Sequence, residues 1–165
     1  TVFAWQSAIE NNAGPTALVF SRQGLGTLER NEAQLASIAR GAYVLFESDD
    51  EPENIMIATG SEVALALEAA RVLVKDGISV RLVSMPSVEV FESQDERYRE
   101  SVLPLATRRR VAVEAGHVDY WRKWVGLDGD VIGMTSFGAS APGGDLFDHF
   151  GFTIDAVVQA VKNLD

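Results

Sequence analysis

Two nearly unbroken apolar runs, residues 55–58 and 80–84, flank an amphipathic stretch, and this combination constrains the fold more than any other feature of the chain. A strand with one face in water alternates apolar and polar residues, whereas a strand buried on both faces does not. Between the runs, residues 61–75 place Glu68, Arg71 and Lys75 at i, i+3 and i+7, one polar stripe on an otherwise apolar cylinder. The Asp76-Gly77 pair then stops the helix before the second run begins. A strand, a sheet-covering helix and a second strand make a βαβ unit, so the spacing predicts parallel strands sheltered under helices.

The alternation extends in both directions. Downstream, a polar segment over residues 86–104 reads as helical in pieces, followed by a strand at 110–113, a helix at 119–124, a strand at 131–134 and a final helix at 154–164. Upstream, a helix at 32–38 precedes a strand within residues 40–53 that ends in an acidic turn. The chain opens with a helix bearing Trp5, Ala8 and Ile9 on one face, broken by Asn-Asn-Ala-Gly-Pro, and residues 16–20 read as a short buried strand. The expected fold is α/β, a three-layer α/β/α arrangement around a mostly parallel sheet.

Composition removes several function classes. At 165 residues the chain is long enough to take about 70% of its unfolded surface out of water, so it needs no disulfide staple, and it has no cysteine. A formal charge of −10 opposes binding to nucleic acid. The most apolar stretch, residues 63–74, is interrupted by Glu68 and Arg71, and the N-terminus has no signal-peptide pattern, so the expectation is a soluble, cytoplasmic protein with no membrane partner. The chain starts at Thr1, in a helical stretch and without methionine, which reads as a fragment.

Local motifs supply no active site. Within residues 19–30, Val-Phe-Ser-Arg-Gln-Gly-Leu-Gly-Thr-Leu-Glu-Arg, Gly24 and Gly26 open a dinucleotide-like fingerprint, with Glu47 near the spacing of a ribose-binding acid. The third glycine position holds Glu29, whose charge opposes a pyrophosphate and whose bulk blocks close helix–strand approach, so the glycines read as a mobile loop. Residues 58–63 resemble a phosphate loop but lack its lysine, and Thr59 with Glu62 has capping-box spacing, although the Gly60-Ser61 helix start could attract an anion. Residues 137–142 resemble a nucleophile elbow, with Pro142 where a glycine should stand. His117 and His149 lack metal-ligand spacing and read as surface or hydrogen-bonded histidines, and Arg108, Arg109 and Arg110 read as a solvated or ion-paired edge.

Longer segments carry more. In order, GPTALVFSRQGL, IARGAYVL, IATGSEVALALEA, VRLVSMPSVEVFESQDERYRESVLP, RVAVEAG, DYWRKWVG, IGMTSFGASAP and FGFTIDAVV resemble the C-terminal part of transketolases over essentially the whole chain. The resemblance implies a five-stranded mixed sheet with one antiparallel strand. It divides the chain into the tail of a pyrimidine-binding domain (1–29), a linker (30–40) and a transketolase C-terminal domain (41–165). It implies an intact enzyme that transfers a two-carbon ketol unit between ketose and aldose phosphates in the pentose phosphate pathway, with thiamine diphosphate and Mg2+ or another divalent metal, as a homodimer.

By the same resemblance, the arginine of the Ser-Arg-Gln run binds substrate phosphate, which points to Arg22, and Ser21 adds a hydroxyl donor. The family often continues that run with Asn and then Pro, where this chain has Gly24 and Gly26, so the orientation of Arg22 is expected to depend on the rest of the enzyme. No catalytic, cofactor-binding or metal-binding residue is expected here: Asp128-Gly129-Asp130 reverses the family's metal motif, and the fragment alone is expected to bind no cofactor and to be inactive, supporting the dimer. Two alternatives stay open: the C-terminal domain of another thiamine diphosphate enzyme (a 2-oxoacid dehydrogenase β subunit or a deoxyxylulose phosphate synthase), or a non-catalytic interaction module.

Overall fold

A computed structural model describes residues 1–164; the last residue of the expected C-terminal domain, Asp165, lies outside them. The elements in chain order are α1 (Val2–Glu10), α2 (Glu32–Ser37) with a 3-10 turn (Ile38–Arg40), β1 (Tyr43–Glu47), β2 (Asn54–Ala58), α3 (Glu62–Lys75), β3 (Val80–Ser84), α4 (Val88–Glu92), α5 (Glu96–Val102), β4 (Arg110–His117), α6 (Val118–Val125), β5 (Asp130–Met134), α7 (Gly143–Phe150) and α8 (Ile154–Lys162). The strands form one sheet in the order β1-β3-β2-β4-β5. All neighbours are parallel except β1, which runs antiparallel to β3 along the edge.

Strands β2 and β3 are buried at every position, as their nearly unbroken apolar runs predict. Met56, Leu82, Val111 and Val113 face one side, where they pack under α3 and α8. Ile55, Ile57, Val83 and Ala112 face the other, under Phe91, Val102 and Trp121 of α4, α5 and α6. On α3 the core face is largely alanine, with Ala66, Ala69 and Ala70 fully buried beside Leu73, and these small side chains let the helix lie close to the sheet. Glu68 and Arg71 of its polar stripe are exposed and bond to each other at 2.6 Å.

Helix starts are set by local polar chemistry. Asn31 and Gln34 form a reciprocal capping box on α2, and the Gln34 amide also donates to the β1 carbonyls of Val44 and Leu45. Asp95 accepts the Tyr98 amide at the start of α5, and Thr153 accepts that of Ala156 at the start of α8. Inside β3, Arg81 is buried yet paired: it bonds Glu47 directly opposite on β1 and donates to the carbonyls of Ser101 and Val102.

The structure corrects two expectations. Residues 16–20 are not a strand: no neighbouring strand supplies ladder partners, and Val19 stands 92% exposed. Thr59 and Glu62 do not form a capping box; Ser61 is the N-cap of α3 and makes no side-chain capping bond, while only the backbone carbonyl of Thr59 accepts the Glu62 amide. Glu62 turns inward instead. The arginine run is paired, with Arg108 on Asp128 at 2.6 Å, Arg109 on Asn54, and Arg110 donating to the carbonyls of Leu103, Pro104, Thr107 and Trp124.

Candidate functional site

The connection from β2 to β3 passes over one face through α3, and that from β4 to β5 passes over the other through α6. The chain therefore departs in opposite senses from the β2–β4 pair, and the carboxyl ends of these two strands form the crevice where doubly wound sheets place their ligands. A cleft of about 890 Å3 opens there, lined by Thr59, Met85, Glu114 and Tyr120 from the sheet side and by Phe3 and Leu18 from the N-terminal segment.

Two carboxyl groups meet at this crevice, a feature that local sequence signals did not reveal. Glu62, only 3% exposed, accepts the Ala115 amide at 3.2 Å through Oε1 and the Ser61 hydroxyl at 2.9 Å through Oε2. Glu114, at the end of the buried part of β4, has a buried Oε2 with no hydrogen-bond partner among the described residues. Burial first, and the Glu62 charge second, push the Glu114 carboxyl up to about 8. The signal available in the sequence was a glutamate directly after an apolar strand. At the Gly60-Ser61 helix start, Glu62 Oε2 would lie 3.7 Å from a Cβ on Gly60, which puts negative charge where an anion would approach.

The resemblance-derived residues lie beside this crevice, outside the lining of the cleft. Ser21 Oγ sits near the turn into α3, 3.9 Å from where a Cβ on Gly60 would be. Arg22 is exposed, and none of the ion pairs among the described residues includes it. Gly24 and Gly26 have nothing within 4 Å of a Cβ, so there is open space beside both glycines. The loop is tied down at its exit, where Leu28 packs against the core under α3 and Arg30 donates to the Tyr43 hydroxyl at 2.6 Å and to the Leu28 carbonyl at 3.0 Å.

The histidines stay apart. His117 is exposed at the N-cap of α6, where Nδ1 accepts the Asp119 amide at 3.3 Å, and His149 lies exposed against Phe150. Among the described residues no group of three or more His, Cys, Asp or Glu side chains could hold a metal ion.

The sheet order and the loop beside its crevice can be set against known proteins. Residues 41–153 match the family model of the transketolase-like TK C-terminal domain. The chain belongs to the transketolase family. Transketolase 2 of Aliivibrio fischeri is 55% identical over 161 residues and Transketolase 1 of Escherichia coli 56% identical over 161; each match takes in 98% of this chain and 24% of the relative. The chain thus spans about a quarter of the length of the curated relatives it matches. Among solved structures, a Pichia stipitis transketolase in complex with sedoheptulose 7-phosphate superposes with a TM-score of 0.85 at 36% identity, over 98% of this chain and 23% of that one. No helix among the described residues is long and apolar enough to cross a membrane.

Proposed function

We propose that this transketolase segment works within a complete enzyme that moves a two-carbon ketol unit from a ketose phosphate to an aldose phosphate, and that Arg22 is its substrate-phosphate ligand, with Ser21 as an added hydroxyl donor. The observation that carries the residue assignment is the Ser-Arg-Gln run at residues 21–23 of a chain 55% identical to a curated transketolase; the Arg22 guanidinium is exposed and belongs to none of the ion pairs among the described residues, which leaves it available to a ligand. A guanidinium offers phosphate a planar fork of donors and keeps its charge at any working pH. The sugar phosphate in the Pichia stipitis complex supports the substrate class.

The same reading gives the complete enzyme thiamine diphosphate with Mg2+ or another divalent metal, a homodimeric state and a cytoplasmic location. The described residues do not fit the cofactor, because no cluster of carboxylate, imidazole or thiolate groups is placed to hold the metal that would bind its diphosphate. Those ligands would come from other parts of the enzyme, and no proton transfer is assigned to a side chain of this segment. Its own tasks are to hold the phosphate loop and to build the crevice beside it. By itself it is expected to show neither ketol transfer nor cofactor binding.

The test compares kcat/KM for a phosphorylated aldose and for its unphosphorylated counterpart in the complete enzyme, with and without Arg22→Ala. Charge-assisted hydrogen bonds are worth about 1.5–3 kcal/mol each, so the preference for the phosphorylated acceptor should fall about tenfold or more. Most of that loss belongs in KM, because a contact far from the reacting carbons is made equally in the ground and transition states. Equal fractional losses for the two acceptors would show that Arg22 is not the phosphate ligand.

A further inference from the structure

Residues 30–40 connect the N-terminal segment to the sheet, and connections at domain boundaries ordinarily carry few contacts. This one is fastened at each end. Arg30 donates to the Tyr43 hydroxyl at 2.6 Å and to the Leu28 carbonyl at 3.0 Å. Arg40 donates to the Gln94 side chain at 2.9 Å and to the Asp95 carboxylate at 3.0 Å, and its guanidinium carbon lies 3.3 Å from the centre of the Tyr98 ring. Leu28, just before Arg30, and Ile38 pack against the core.

The middle is held by a single side-chain amide. Strand β1 is an edge of the sheet, and its register against β3 slips: Val44 pairs with Val83 but Phe46 with Leu82, which makes Leu45 the extra residue of a bulge. In a regular strand successive carbonyls point to opposite edges, and an edge strand leaves its outer ones without ladder partners. At this bulge Gln34 Nε2 donates to two successive carbonyls, Val44 at 3.1 Å and Leu45 at 2.8 Å. Gln34 Oε1 accepts the Asn31 amide at 3.0 Å within the α2 capping box. The amide thus holds the sheet through its nitrogen and the helix through its oxygen.

We propose that residues 28–40 form a strap belonging to the sheet domain, with the Gln34 amide as the latch that closes the bulged outer edge of β1. The interaction surface is that edge, and its partner is this chain's own connecting segment. With both ends and the middle fastened, residues 28–41 carry no slack, and the joint at which the N-terminal segment can move against the sheet lies before Leu28. A latch and a simple helix cap make different chemical demands on Gln34. Capping uses the oxygen, which glutamate supplies equally well. Latching uses the N–H groups, which an ionised glutamate lacks, and its carboxylate would face two carbonyl oxygens.

The experiment is hydrogen exchange on the 165-residue chain in the parent, Gln34→Glu and Asn31→Ala. Two amides report on the segment from the first turn of α2 to the end of the 3-10 turn: Leu35, bonded to the Asn31 carbonyl at 3.0 Å, and Gly41, bonded to the Ile38 carbonyl at 3.1 Å. In the parent both should exchange more slowly than the amides of residues 16–20. Gln34→Glu should speed both by about tenfold or more while β2 and β3 keep their rates, and Asn31→Ala, which loses the cap acceptor and keeps the latch, should do less.

Unchanged rates in Gln34→Glu overturn the proposal, as does exchange of Leu35 and Gly41 in the parent as fast as in residues 16–20. A larger effect from Asn31→Ala than from Gln34→Glu overturns it too, since capping alone would then hold the segment.

Discussion

Glu62 accepts the Ala115 amide at 3.2 Å, which fastens the first turn of α3 to β4 at the point where the chain leaves the sheet in opposite senses. The bond spans 53 residues of sequence and is made by a side chain that is almost wholly buried. At neutral pH Glu114 is mostly protonated, since its carboxyl is raised to about 8, so removing Glu62 relieves little repulsion and mainly strands its donors. Glu62→Ala should therefore destabilise the chain by about 1–3 kcal/mol at pH 7, and Glu62→Gln, which keeps one acceptor oxygen, by less. Urea denaturation of the two variants checks the order.

Glu114 gives stability a specific pH dependence. Its native carboxyl titrates at about 8 against an ordinary value of 4.5, so between those limits the native state holds a proton that the unfolded chain has released. Stability from this group is intact below about 4.5 and declines as pH rises toward 8; ionisation then places a charge on an oxygen that has no partner. Glu114→Gln, neutral at every pH, should flatten the decline and leave the variant more stable than the parent above pH 8. Thermal melting from pH 5 to 9 provides the comparison, and parallel curves for the two proteins would contradict the assignment.

Gly41 closes the 3-10 turn into β1 with φ at +87°, and a Cβ there would lie 2.4 Å from both the Phe91 nitrogen and the Ser87 oxygen. Both obstacles are backbone, so neither can swing aside. Gly77 has a similar φ of +78° but nothing within 4 Å, which isolates the conformational cost. Gly77→Ala should cost about 1 kcal/mol, whereas Gly41→Ala should cost about 3 kcal/mol or more because α4 must also shift. Denaturant midpoints measured side by side separate the two contributions.

The parts of the fold legible in the sequence were those with a local cause. Nearly unbroken apolar runs marked β2 and β3, and the stripe of Glu68, Arg71 and Lys75 oriented α3, because burial on two faces or one leaves its record in the pattern. Residues 16–20 carry the same apolar record without becoming a strand, since a ladder needs a neighbour that no local pattern reveals. Helix α7 escaped because it opens with Gly143-Gly144, poor helix formers, and derives its place from packing of Phe147 and Phe150 on the core. The Arg81–Glu47 pair, 34 residues apart, and the Glu62–Ala115 bond join distant residues and leave no trace in spacing. Arg22 itself was readable only through family resemblance, because a lone exposed arginine is chemically ordinary.

The N-terminal segment should behave differently from the sheet. Helix α1 buries none of its residues, with Val2 and Ile9 more than three-quarters exposed, and residues 16–20 have no ladder partners. Opening such a segment exposes little apolar surface, so its amides should exchange through local fluctuations rather than global unfolding. Strands β2 and β3, buried at every position, and the buried Val111–Val113 part of β4 should exchange only near the global unfolding free energy. Hydrogen exchange on the 165-residue chain should therefore divide it into a weakly protected part over residues 1–29 and a strongly protected part over residues 42–164. Measured on a monomer, equal protection of the two would mean that the N-terminal segment unfolds only with the core, in conflict with its exposed apolar side chains.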